Sequence, residues 1–131
     1  MRIMIAFDGS DSADRGLELA KKHALAFEDS EVFVVTSLEG DTQEQLNYLE
    51  KAEQDLSRAK LFFDDEKIKC ETELLSQGVS PGEALVEYAT TKEMDEIIIG
   101  IRKKSKVGKF LFGSTAQYVI LQAPCPVLTT Q

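Results

Sequence analysis

Five basic side chains, Arg102, Lys103, Lys104, Lys106 and Lys109, fall within eight positions of a chain whose formal net charge is −8. They are a third of its 15 Lys and Arg residues, and Gly100 precedes them while Gly113, Ser114 and Thr115 follow. A glycine lets main chain approach a bound group closely. Free N–H groups at a helix start point outward, and the helix dipole favours an anion there. With two hydroxyl donors and the positive charge, the stretch suits phosphate. Its order is not that of a P-loop: "GKFLFGST" does not follow G-x-x-x-x-G-K-[ST], which argues against a Walker-type hydrolase. A solvated basic loop, with Gly113 as a turn residue, is the usual meaning of a charge run. What weighs against it here is where the run falls among the elements of the chain.

Those elements alternate. Residues 2–7, "RIMIAF", form a short apolar run ending in "DGS", a buried strand followed by a turn. Ala13, Leu17, Ala20, Ala24 and Phe27 then recur at the period of one helix face. "EVFVVTS", residues 31–37, is β-branched and aromatic, as a second buried strand should be. Leu49, Ala52, Leu56, Ala59 and Phe63 predict a second helix over roughly residues 42–66. In residues 68–75, Ile68, Cys70, Thr72 and Leu74 alternate with polar residues, the pattern of a more exposed strand. Ser80 as N-cap, Pro81 at the first helical position and Glu83 placed for a capping box mark a third helix. "DEIIIG", residues 95–100, predicts a central strand buried on both faces. Phe112, Ala116, Val119 and Ile120 fit a last helix, and residues 125–130 a last strand.

Strictly alternating strands and helices favour a doubly wound α/β sandwich with a mostly parallel sheet. Such sheets bind ligands beyond the carboxyl ends of the strands, where the winding reverses. The loops after the first and fourth strands, "DGS" and "GIRKKSKVGKFLFGS", are the two that would meet there. Asp8 would accept from an amino or hydroxyl group, or cap its own loop. Ser10 would serve as a ligand contact or as the N-cap of the first helix. His23, beside an apolar helix face, reads as partly buried structure, and Phe110, Leu111 and Phe112 as core packing. The apolar side chains of the last strand predict an open edge that invites a second copy.

Composition narrows the chemistry. One His, His23, leaves little for a His-based dyad or a multi-His metal site. Cys70 and Cys125 lie far apart without zinc spacing, so both are expected reduced. The excess of 23 Asp and Glu disfavours a general nucleic-acid surface. No apolar run approaches the ~20 residues that cross a bilayer, and "MRIMIAFDGS" is too short in apolar residues for a signal peptide. The expectation is one soluble, cytoplasmic domain over residues 1–131.

"IAFDGS", the strand and helix order, and "GSTAQYVILQAPCPVLTT" resemble the universal stress protein family over essentially the whole chain. The resemblance implies a Rossmann-like, five-stranded parallel sheet sandwiched by four helices, and dimerisation through the last strand. It also implies, for one subgroup, binding of ATP or AMP without dedicated catalysis. That subgroup carries Gly, two residues, Gly, nine residues, then Gly and Ser or Thr. Gly100 matches the first glycine, and Gly113 with Ser114 the closing pair, while Lys103 occupies the middle position. By the same resemblance Asp8 lies by the adenosine, and Thr36 and Ser37 fall where backbone groups contact adenine.

The expected function is thus a homodimeric stress-response protein holding ATP or AMP, with Mg²⁺ on the phosphates if ATP is bound. Asp8, Ser10, Ser37, Gly100, Arg102, Lys103, Gly113, Ser114 and Thr115 are the candidate contacts. Lys103 would add charge beside the phosphates, or its Cβ would block the approach of main chain. If it blocks, the alternative is a dimeric scaffold whose basic loop binds an acidic partner or another anion. An ATP-pyrophosphatase-like enzyme ranks last, because "FDGSDSAD" holds one glycine where that chemistry wants a glycine-rich loop.

Overall fold

The computed structural model describes residues 1–38, 44–76, 79–101 and 113–131. In chain order its elements are β1 (Arg2–Ala6), α1 (Asp11–Ala26), β2 (Glu31–Ser37), α2 (Glu44–Asp64), β3 (Lys69–Leu75), α3 (Pro81–Thr91), β4 (Glu96–Gly100), α4 (Ser114–Gln122) and β5 (Val127–Thr130). The strands form one sheet in the order β3-β2-β1-β4-β5, and every neighbouring pair is parallel. This is the five-stranded doubly wound sandwich that the alternation of elements predicts. The chain winds outward through β2 and β3 on one side of β1 and through β4 and β5 on the other. The switch point therefore lies between β1 and β4.

Side chains alternate across each strand, and the two faces build two cores. Ile3, Ile5, Val32, Val34 and Ile98 pack with Leu17 and Ala20 of α1 and with Leu56, Ala59 and Phe63 of α2. Met4, Phe33, Val35, Ile97 and Ile99 pack with Leu85 and Ala89 of α3 and with Val119 of α4. Because β1, β2 and β4 are covered on both faces, they read as continuous apolar runs. β3 lies at one edge, with Glu71 and Glu73 exposed, and β5 forms the other edge.

Several boundaries differ from those read in the sequence, each for a local reason. β5 starts at Val127 because Pro126 has no N–H for the ladder; its carbonyl still accepts from the Ile97 N–H at 3.0 Å. Phe7 lies beyond β1, yet it is buried and its N–H donates to the Val35 carbonyl at 2.8 Å. Thr36 Oγ1 donates to the Phe7 carbonyl at 2.7 Å, which fixes the end of β1 to the end of β2. The apolar β4 opens on a buried carboxylate, Glu96, whose Oε1 lies 2.5 Å from His23 Nδ1. His23 is thus part of the structure: it ties the last turn of α1 to the foot of the sheet. Both cysteines are free thiols. Phe110, Leu111 and Phe112 lie outside the described residues. No helix among those described is long and apolar enough to cross a membrane.

Candidate functional site

A cleft of about 490 Å³ opens at the carboxyl ends of β1, β2 and β4. Its floor is apolar. Ala6, Val35, Leu85 and Ile99 line it, contributed by β1, β2, α3 and β4. Each strand residue is the last or nearly the last of its strand, so the same alternation that builds the core leaves a greasy slot where the sheet ends. Polar groups gather at the rim: Asp8, Ser12, Ser37 and Thr115. Among the described lining residues Asp8 carries the one formal charge.

The β1 wall is held by a sharply defined turn. Asp8 Oδ1 accepts from the Ser10 N–H at 2.9 Å, and Gly9 adopts a φ of 77°, open to glycine without strain. Ser10 is the N-cap of α1, its Oγ accepting from the Ala13 N–H at 3.3 Å. The Ser10 and Ser12 hydroxyls lie 3.1 Å apart. Ser12 itself is only 7% exposed. α2 braces the turn from outside, through Arg58 to Asp14 at 3.0 Å and through the Lys51–Asp55 pair beside Gly9.

Two glycines flank the cleft for different reasons. A Cβ on Gly100 would stand 2.9 Å from Ser12 C and 2.8 Å from Ala13 N, so packing of α1 against the end of β4 requires glycine there. A Cβ on Gly113 would meet nothing within 4 Å among the described residues, and its φ of −61° is ordinary for any residue. Among the described residues nothing around Gly113 requires a glycine.

All four helices follow the carboxyl ends of strands, and the caps of α1, α3 and α4 differ. Ser10 caps α1, and Ser80 caps α3 by accepting from the Glu83 N–H at 3.4 Å. α4 begins from Gly113 with no side-chain cap. The first N–H groups of a helix have no partner within it. At α4 these belong to Ser114, Thr115 and Ala116, and Thr115 and Ala116 line the cleft.

The structure therefore brings Asp8, Ser37, Gly100, Gly113 and Thr115 to one cleft. Ser10 turns to its own helix, and Ser114 stands exposed beside the rim. Arg102 and Lys103, with Lys104, Lys106 and Lys109, lie outside the described residues. Sequence reasoning missed Ser12, Ile101, Pro81 and the apolar floor. A signal for Ser12 was present: it lies four residues before Gly16, one helical turn along the face of α1 that meets the sheet. Among the described residues no group of three or more His, Cys, Asp or Glu is placed to hold a metal ion.

A model of the universal stress protein family matches residues 1–131. The chain belongs to this family. A universal stress protein of Thermus aquaticus is 34% identical over 138 residues, which cover 96% of this chain and 95% of the relative. Among solved structures, a universal stress protein from Archaeoglobus fulgidus is 35% identical with a TM-score of 0.87, covering all of this chain and 93% of the other. A universal stress protein from the same organism, solved in complex with dAMP, is 31% identical with a TM-score of 0.81, covering 99% of this chain and 96% of the other. The sandwich fold is thus shared with these relatives.

Proposed function

We propose that this universal stress protein binds an adenine nucleotide in the cleft at the ends of β1, β2 and β4. The observation that carries the proposal is the start of α4: among the described residues it has no side-chain cap, it follows a glycine that none of them requires, and it is set against an apolar slot. The base fits among Ala6, Val35, Leu85 and Ile99, with main chain near Ser37 to meet its polar edge. Asp8 accepts from a ribose hydroxyl or from the adenine amino group. The phosphates take the free N–H groups of Ser114, Thr115 and Ala116, the hydroxyls of Ser114 and Thr115, and the favourable end of the α4 dipole. Arg102 and Lys103 are assigned to the phosphates by their place in the sequence, as charge rather than shape.

The dAMP complex of the Archaeoglobus relative supports adenine as the base and a monophosphate as sufficient. If ATP is the ligand, Mg²⁺ would accompany it and offset phosphate charge; the chain's own residues bind and orient. The role is binding without dedicated catalysis, in a cytoplasmic homodimer paired through the β5 edge, with residues 1–131 acting as one domain.

Calorimetric titration with AMP, ATP and inorganic phosphate in the presence of Mg²⁺ tests the proposal. Saturable binding of AMP or ATP, with phosphate alone weaker, is the expected result. No binding of any of the three overturns it. Lys103, in the position of a motif glycine, then favours the second reading, a dimeric scaffold whose basic loop engages an acidic partner.

A further inference from the structure

The edge strand reaches the cleft through one residue. Thr130 Oγ1 donates to the Ser12 carbonyl at 2.7 Å, and the Thr130 carbonyl accepts from the Ile101 N–H at 2.7 Å. Ser12 and Ile101 both line the cleft, one in the first turn of α1 and the other opening the loop after β4. β5 pairs with β4 from Ile97↔Val127 to Gly100↔Thr130, and among the described residues it has no strand on its other side. Gly16 lets α1 lie close on β4: a Cβ there would stand 3.2 Å from Ile98 Cγ2, and at an ordinary contact distance of 3.6 Å from Thr130 Oγ1. Gly100, opposite Thr130, lets the Ser12 turn rest on the end of β4.

We infer that Thr130 is a positioning residue through which the state of the β5 edge sets the geometry of the cleft. The inference rests on the nucleotide reading of that cleft. One side chain and one carbonyl of the same residue hold the two segments that must keep register for a ligand to touch both. A displacement of β5, such as pairing with a second copy would impose, moves Ser12 and Ile101 together. The coupling is reciprocal: a nucleotide that fixes the two segments also fixes the end of β5, so it biases what the edge can pair with.

Thr130→Val keeps the side-chain shape and loses the donor, whereas Thr130→Ser keeps the donor. The experiment titrates AMP into wild type and both variants, and follows amide hydrogen exchange of the ligand-free proteins. Thr130→Val is expected to weaken AMP binding by about fivefold to tenfold, the loss of one hydrogen bond, and to speed exchange at Ala13, Asp14 and Ile101. Thr130→Ser is expected to stay within about twofold of wild type in affinity, since it keeps that bond, with unchanged exchange. A purely structural role would lower thermal stability in Thr130→Val and leave the affinity of the folded protein unchanged. Wild-type affinity and wild-type exchange in Thr130→Val, or equal weakening in both variants, overturn the inference. If wild type itself binds no AMP, the nucleotide reading fails, and the exchange comparison alone decides whether Thr130 holds the two segments.

Discussion

Gly100 and Ser12 are packed so closely that the end of β4 admits no side chain: a Cβ on Gly100 would stand 2.6 Å from Ser12 Oγ. The neighbouring atoms include main chain of α1, which cannot turn aside as a flexible side chain would. The two motif glycines that match the family therefore act on different links of the chain from sequence to function. Gly100 serves packing, and Gly113 leaves room at the cleft.

Gly100→Ala is accordingly expected to destabilise the protein by about 1–3 kcal/mol, the range for forcing extra volume into a packed site. Gly113→Ala should cost no more than about 1 kcal/mol, the loss of a tolerable helix cap. Urea denaturation of the two variants checks the contrast. Equal destabilisation would show that Gly113 has a packing role after all.

Asp8 and Ser10 separate in the same way. Ser10→Ala removes the α1 cap and is expected to lower stability by about 1 kcal/mol while leaving the AMP affinity of the folded protein near wild type. Asp8→Asn retains an Oδ1 to accept from the Ser10 N–H, so the turn persists, but it loses the charge that strengthens a hydrogen bond to a ribose hydroxyl or the adenine amino group. AMP affinity should fall about tenfold or more. Paired thermal melts and AMP titrations read both effects.

His23 and Glu96 join α1 to the foot of β4 at 2.5 Å, with Glu96 only 6% exposed. Removing the imidazole leaves a buried carboxylate without that bond, at a cost of about 1–3 kcal/mol. His23→Ala is therefore expected to be more destabilising than Glu96→Gln, which leaves a neutral group that can still bond to the ring. Denaturant midpoints of the two variants at neutral pH make the comparison, and the reverse order would contradict this role.

Burial pushes the Cys70 thiol up to about 11 from its ordinary value of 9.0. Burial, and then the Glu73 and Glu71 carboxylates, push Tyr88 up to about 12. Both groups keep their protons in the folded state over a range where the unfolded chain has lost them. The stability they contribute is complete below pH 9 and declines as pH rises toward 11 and 12. The urea midpoint should fall between pH 8 and pH 10.5, and less steeply in Cys70→Ala. A flat profile would contradict it.

Much of this architecture is legible in the sequence because parallel strands buried on both faces are continuous apolar runs. "IIIG" and "VFVV" can hardly be anything else, and Ser80-Pro81 marks a helix start by its own chemistry. The β1 rim of the cleft is legible for a related reason: Asp8, Gly9 and Ser10 follow β1 closely and so stand where the sheet ends. The apolar floor is not. Val35 and Leu85 have the residue types of core, and only the third dimension shows that they also line the cleft. Ser12 is nearly hidden among the polar residues of "DGSDSAD", where only its helical spacing from Gly16 marks which hydroxyl turns inward. The His23–Glu96 and Thr130–Ser12 contacts join residues 73 and 118 positions apart, beyond the reach of any helical or strand period.

The central claim is that adenine nucleotide sits against the start of α4. Amide chemical-shift mapping of the isotope-labelled protein during an AMP titration tests it most directly. Saturable shifts concentrated at Ser12, Ser37 and Gly113 through Ala116, absent with Gly113→Val, are the predicted result. Shifts confined to the opposite end of the sheet, around His23 and Glu96, or no shifts at all, would contradict the account.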